Sequence, residues 1–187
     1  MNHISFIPFP VLETEKLILR RIAKSDARYI FQLRSDMDYA RLTGIKRYES
    51  VDEAFAFVEK IDQVINKNEA ILWSIFKKDT EDYIGGGCLW NFSEDGMQAE
   101  IGYDLLPDFR GEGYIQEATR SVIEYGFDDL KLGKIVAQEV RAENIKSAKV
   151  LEGNGFQLEK TFEEPRVDGS LDKRLNYELL ENQFRTN

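Results

Sequence analysis

Apolar positions along the chain switch between two periods. Lys16 to Ile22, KLILRRI, alternates well enough to predict a strand, and Ser25, followed by an acidic residue, reads as the N-cap of a helix through about Arg34. From Asp52 onward, Ala54, Phe57, Val58, Ile61 and Ile65 recur at steps of three and four, the stripe of a second helix. Three strands follow in quick succession, Ala70 to Phe76, Tyr83 to Trp90 and Gln98 to Leu105, separated by the turn-forming runs KKDTED and NFSEDG. Connections this short predict antiparallel neighbours. After Gly113 the period becomes helical, with Ile115, Ala118, Val122 and Tyr125 on one face, until Gly126 and the polar DDLKLG run end it. Lys134 to Val140 reads as a strand, Ile145 to about Gly153 as a short helix, and Gln157 to Phe162 and Leu171 to Leu180 as a closing pair of strands. The order β-α-α-β-β-β-α-β-α-β-β predicts an α/β protein with a mixed sheet, antiparallel in its first half and joined through a β-α-β crossover in its second.

The 187 residues suit one folded unit, 11–187, preceded by an N-terminal tail over 1–10, with no repeat or linker to mark a further boundary. Charge then removes whole classes of function. With 34 acidic against 25 basic side chains the net charge is −9, which argues against a nucleic-acid partner, whose phosphates want a basic face. One histidine, His3, and one cysteine, Cys88, supply neither a zinc site nor a disulfide within the chain. A Ser-His-Asp or Cys-His nucleophile would have to recruit His3 beside the chain start, so any general base is expected to be a carboxylate. No apolar run approaches the roughly 18 residues of a membrane span, and MNHISFIPFP lacks a basic n-region and is broken by Pro8 and Pro10. No membrane partner is expected, and the protein is expected to be soluble and cytoplasmic.

The most informative stretch is EIGYDLLPDFRGEGYIQEATR, Glu100 to Arg120. Strand alternation sets Ile101, Tyr103 and Leu105 on one face and Glu100, Gly102 and Asp104 on the other, so the polar face should border a groove. Pro107 interrupts sheet pairing, and Arg110-Gly111-Glu112-Gly113 leads into a helix. Two glycines let the backbone approach a ligand closely, and the free amides at a helix start attract phosphate. This is not a P-loop, which requires G-x-x-x-x-G-K-[ST], and a dinucleotide fingerprint would want a small residue where Gln116 stands. On the glycines alone, a tight turn without any ligand is an equal reading.

The segment resembles motif A of the GNAT superfamily of N-acetyltransferases, whose [QR]-x-x-G-x-[GA] loop binds the pyrophosphate of acetyl-coenzyme A. Here it reads Asp108-Phe109-Arg110-Gly111-Glu112-Gly113, with Asp108 in place of the first Gln or Arg. AEIGYDLLPDFRGEGYIQEA, the opening LETEKLILRRI and the later AENIKSAKVLEGNGF are together similar to the ribosomal-protein N-terminal (Rim-type) branch, in register from Leu12 to Leu180. The resemblance implies a GNAT-like splayed seven-stranded sheet flanked by about four helices, with pantetheine lying in the opening between the fourth and fifth strands. It implies that backbone groups near Asp104, Leu105 and Leu106 meet the pantetheine, and that the amides of Arg110, Gly111, Glu112, Gly113, Tyr114 and Ile115 hold the pyrophosphate. Asn144 is a candidate cofactor contact and equally a candidate N-cap, and Arg110, Lys146 and Lys149 are the local cations.

Acetyl transfer needs a neutral amine, a site for the developing oxyanion and a proton for the departing thiolate. Glu100 is the candidate general base, its pKa raised by desolvation in the groove; a salt-bridged or surface glutamate is the competing reading. Leu151 stands where many superfamily members carry a proton-donating tyrosine, four residues before Gly155-Phe156. Ser147, preferred by its resemblance to the N-terminal acetyltransferase branch, and Tyr103 are the candidate donors. Gly85-Gly86-Gly87 marks a bulge or a close approach, Trp73 and Trp90 are core residues or pocket walls, Cys88 is a small buried side chain, and Tyr48 is a candidate gate by analogy with the family. The expected activity is acetyl-coenzyme A dependent acetylation of a primary amine, a protein N-terminus among the candidates, by a monomer or homodimer without metal. A small-amine or antibiotic acetyltransferase and a noncatalytic acyl-coenzyme A binding module remain as alternatives.

Overall fold

The computed structural model describes residues 4–165 and 169–186; His3 lies outside them. Two short strands, β1 (Leu12–Glu13) and β2 (Leu17–Arg21), lead through a 3-10 turn at Lys24–Asp26 into α1 (Ala27–Arg34), α2 (Met37–Thr43) and α3 (Val51–Asn66). The meander β3 (Ile71–Lys77), β4 (Tyr83–Trp90) and β5 (Gln98–Leu105) precedes α4 (Tyr114–Asp128). Strand β6 (Lys134–Arg141), α5 (Ile145–Gly153), β7 (Gln157–Pro165), β8 (Leu171–Leu180) and α6 (Glu181–Thr186) complete the chain. The sheet is mixed, with eight strands in the order β1-β2-β3-β4-β5-β6-β8-β7. The expected seven becomes eight because Leu12 and Glu13 pair with Leu19 and Ile18.

Several local expectations are corrected by capping. Ser25 is not an N-cap; it sits inside the 3-10 turn, and the Asp26 carboxylate reaches back to the Ala23 amide at 2.9 Å. The second predicted helix opens one residue early, at Val51, capped by Ser50, whose own amide is accepted by Glu53. Helix α2 was not expected at all, being too short for a periodic stripe. It is held by its ends: Asp36 accepts from the Tyr39 amide at 2.7 Å, and Gly44 closes it with φ +75.

Residues 4–10, expected as part of a tail, are docked. Phe6 is fully buried, its amide donates to Asn68 Oδ1 at 2.8 Å, and Trp73 Nε1 donates to the Pro10 carbonyl. Trp73 is therefore core, against Tyr125 and Phe9. Helix α4 covers one face of β4 and β5, burying Ala118, Val122 and Ile123, while α1 packs on α3 over the first half of the sheet. At the far edge β7 is largely exposed, and Lys160, Glu163 and Glu164 along it are charges that disfavour edge-to-edge pairing.

The feature that positions the site is a split in the sheet. Strands β5 and β6 pair in parallel only over Gln98–Glu100 against Lys134–Val136, whereas β5 follows β4 as far as Leu105 opposite Gly85. Beyond Glu100 the two strands diverge, leaving one backbone edge of Ile101–Leu105 without a strand partner.

Candidate active site

The divergence opens a cleft of about 430 Å³ between the end of β5, α2, the start of α4 and the start of α5. Arg110, Ile115, Asn144, Lys146 and Ser147 line it. The loop before α4 is shaped by two left-handed glycines, Gly111 at φ +91 and Gly113 at φ +80, and a Cβ on either would meet no protein atom within 4 Å. Among the described residues, the amides of Gly111 to Gln116 donate to no protein acceptor. Six consecutive free donors at the positive end of a 15-residue helix are suited to an anion.

Two expected donors are already committed: the Arg110 amide bonds the Pro107 carbonyl at 3.2 Å, and the Leu106 amide bonds Ile84 at 2.8 Å. Arg110 is placed to contribute its guanidinium instead. Tyr114 turns its ring toward Lys77, away from the cleft. Asn144 Oδ1 accepts from the Ser147 amide at 3.3 Å, so its oxygen serves as the N-cap of α5. Lys146 borders the cleft, whereas Lys149 is exposed and does not.

Ser147 and Tyr103, from α5 and β5, meet in the cleft. Their hydroxyl oxygens are 3.0 Å apart, and the Tyr103 hydroxyl is 2.9 Å from the Ser147 carbonyl. Burial pushes the Tyr103 phenol well above its ordinary range, so it stays protonated. Leu151 is fully buried and offers no proton, as its identity requires.

A second chamber, of about 420 Å³, lies on the polar face of β5, roofed by α1, α2 and α3 and floored by β3, β4 and β5. Its walls are mainly apolar, with Trp90 and Cys88 on the β4 side. The two spaces share Tyr39, Thr43, Tyr103 and Asp104 and therefore meet at Asp104. Asp104 Oδ2 accepts from the Tyr39 hydroxyl at 3.4 Å, and the buried Oδ1 has no hydrogen bond of good geometry. Burial raises the Asp104 carboxyl above its ordinary value, opposed by the Arg34 guanidinium, the Gly86 backbone and Tyr39. The three glycines of β4 belong to this arrangement: a Cβ at Gly86 would stand 3.2 Å from Asp104 Oδ1, and one at Gly85 would collide with the Asp104 carbonyl.

Glu100 occupies the same face of β5, opposite Trp90 and at the apex of the split, but borders neither space. It is 9% exposed and its Oε2 accepts from Asn91 Nδ2 at 3.4 Å. Burial raises its carboxyl, as expected of a groove glutamate, against hydrogen bonds from Asn91 and the Gln138 amide. Tyr48 accepts from Arg34 Nη1 at 2.9 Å and holds that side chain rather than bordering the chamber.

Arg34, Tyr39 and the Asp104 side chain were missed by sequence reasoning. Asp36 and Gly44, eight residues apart, are the capping signal that would have placed α2 and with it Tyr39.

A sheet split beside a helix start with free amides is the arrangement that the GNAT resemblance implies for an acyl-coenzyme A site. Residues 16–157 match the family model described as an acetyltransferase (GNAT) domain, and the chain belongs to that family of acetyl-coenzyme A dependent N-acetyltransferases. It is 34% identical over 151 residues to the uncharacterized N-acetyltransferase YoaA of Bacillus subtilis (strain 168), covering 81% of this chain and 85% of that one. The spermidine N-acetyltransferase of Vibrio cholerae, solved with CoA and spermine, has a similar fold (TM-score 0.80, 23% identity, 92% of this chain and 99% of that one). So has the ribosomal-protein-S5-alanine acetyltransferase of Vibrio fischeri (TM-score 0.79, 22% identity, 94% and 98%). Among the described residues no cluster of three or more His, Cys, Asp or Glu is arranged to hold a metal, and no helix is long and apolar enough to cross a membrane.

Proposed function

We propose that the protein transfers the acetyl group of acetyl-coenzyme A directly to a primary amine, with the thioester in the β5–β6 cleft and the amine arriving through the apolar chamber. The adjacency of the two spaces, which share Asp104 and Tyr103 as lining, supports this reading, because donor and acceptor would then lie on either side of those residues. In this arrangement the free amides of Gly111 to Ile115 hold the diphosphate, and the unpaired edge of β5 aligns the pantetheine. A carboxylate on the polar face of β5 takes the ammonium proton; Glu100 and Asp104 are the two that share that face. The Ser147–Tyr103 hydroxyl pair offers a proton to the departing thiolate, in place of the tyrosine that Leu151 replaces.

The folds of a spermidine and a ribosomal-protein acetyltransferase are matched about equally, so the fold does not choose the amine. The test is mass spectrometry of peptides, polyamines and small amines incubated with labelled acetyl-coenzyme A, followed by initial rates with both substrates varied. Intersecting lines support direct transfer. Parallel lines would show an acetyl-enzyme intermediate instead, and cofactor binding without acetylation of any amine would show a noncatalytic module.

A further inference from the structure

The chamber's polar groups are few and unusually placed. Ile22, Ile30, Leu33, Phe57, Ile61 and Leu72 make most of its wall. Into this surface project one anion and one cation, Asp104 from β5 and Arg34 from the last turn of α1, and among the described residues they form no ion pair with each other. Each has capacity to spare. Asp104 Oδ1 is buried with the Gly86 backbone beside it but no hydrogen bond of good geometry. The Arg34 guanidinium donates Nη1 to the Tyr48 hydroxyl and makes no other hydrogen bond among the described residues, leaving most of its five N–H donors free. Its guanidinium is nonetheless fixed, lying 3.9 Å from the Phe57 ring centroid and 5.3 Å from that of Tyr48. A buried carboxylate with an empty acceptor and an immobilised guanidinium with empty donors both forfeit hydrogen bonds unless a ligand completes them.

We infer that the chamber receives a free apolar α-amino acid, its ammonium on Asp104, its carboxylate on Arg34 and its side chain against the apolar wall, and that Asp104 is the base. The inference rests on the acetyltransferase reading above and narrows its acceptor. A polyamine would place a second cation beside Arg34 and methylenes with no anion to meet, and an N-terminal peptide has an amide where Arg34 awaits a carboxylate. The chemistry balances simply. Asp104 removes one proton from the ammonium, and the freed nitrogen pair forms the C–N bond to the thioester carbonyl carbon. The C–S bond then breaks with its pair on sulfur, and the remaining excess proton on nitrogen reaches the thiolate through the Ser147–Tyr103 hydroxyls or water. The products are the N-acetyl amino acid and coenzyme A, and Asp104 returns its proton to solvent.

The groups facing Asp104 are Arg34 from α1, Tyr39 from α2, and Tyr83 and Cys88 from β4. Tyr39, Tyr83 and Cys88 are all held protonated by burial, so Arg34 is the charge that governs Asp104.

The experiment compares L-phenylalanine, 2-phenylethylamine, a phenylalanyl tripeptide and spermidine as acceptors for the wild type, Arg34→Met and Asp104→Asn. The expected result is a kcat/KM for phenylalanine at least about tenfold above the amine lacking its carboxylate, a preference that Arg34→Met abolishes. Asp104→Asn should lower kcat about 10²- to 10⁴-fold with acetyl-coenzyme A affinity unchanged, which also shows that the variant is folded. Equal or better turnover of the tripeptide, phenylethylamine or spermidine overturns the amino-acid assignment. An Asp104→Asn enzyme with wild-type turnover overturns the base. If acetyl-coenzyme A binds yet no amine is acetylated, the acetyltransferase reading itself fails.

Discussion

The two halves of the site recognise their ligands by different means. In the proposed arrangement the cofactor half offers main chain: six consecutive amides from Gly111 to Gln116 and the unpaired edge of β5. The proposed acceptor half offers side chains drawn from positions between Ile22 and Asp104, delivered by three helices and three strands. Main-chain recognition survives substitution of most side chains as long as two glycines keep their left-handed turns. Side-chain recognition changes with each residue. A family can therefore keep one cosubstrate while its members acetylate different amines.

The sharpest way to break this comparison is Asp104→Asn, where the halves meet; a fall in kcat of about 10²- to 10⁴-fold without loss of cofactor affinity would separate acceptor chemistry from cofactor binding. Next in size is Gly113→Ala. The left-handed φ of +80 imposes about 1–2 kcal/mol of strain on a non-glycine residue, and the new Cβ meets only the space left for the diphosphate. Calorimetry should show a modest loss of stability, with acetyl-coenzyme A affinity falling about tenfold or more and the acceptor KM little changed. An acceptor KM that rises equally would mean that the two halves are not separable.

Smaller, and confined to the acceptor half, is the pH effect of Arg34→Met. Turnover requires the Asp104 carboxylate ionised, so kcat/KM falls as pH drops through its pKa. Burial already holds that pKa above the ordinary carboxylate value and Arg34 pulls it down. Without the cation, the acid limb should move to higher pH, as read from a kcat/KM profile with 2-phenylethylamine, which has no carboxylate for Arg34 to hold. A limb that stays in place would show that Arg34 does not act on the proton-accepting group.

The same contrast explains what the chain disclosed before it folded. The loop at Arg110–Gly113, its strand and its helix are contiguous, and backbone geometry demands glycine there, so the signal is local. The strand expected over Gln98–Leu105 has the observed bounds for the same reason: its alternation is complete within eight residues. Arg34 looked like the basic end of a helix, and Phe57 and Ile61 like an ordinary stripe, since nothing in their spacing shows that part of the stripe faces an empty chamber. Asp104 was placed on the right face, but only its backbone was given a role. Its side-chain environment is set by Tyr39, which is 65 positions away and carried on a seven-residue helix too short to show a period. Helix α6 and strand β1 escaped for the same reason of length.

The smallest expected effect belongs to Glu100→Gln, which separates the two carboxylates of β5. Glu100 lies at the apex of the split, engaged by Asn91 and the Gln138 amide, and borders neither the chamber nor the cleft. If Asp104 takes the proton, the glutamine variant should keep turnover within about threefold and retain the acid limb, whereas a general base at Glu100 requires a loss of about 10²-fold or more. Stability gives an independent check. Burial holds the folded pKa above the ordinary 4.5, so between those values the folded protein binds more protons than the unfolded chain, and stability falls as pH rises through that window. Removing the charge lifts this penalty. Glu100→Gln should therefore melt higher than the wild type at neutral pH, with the difference shrinking to nothing as pH falls below about 4.5. A variant that melts higher yet loses its activity would return the proton-accepting role to Glu100.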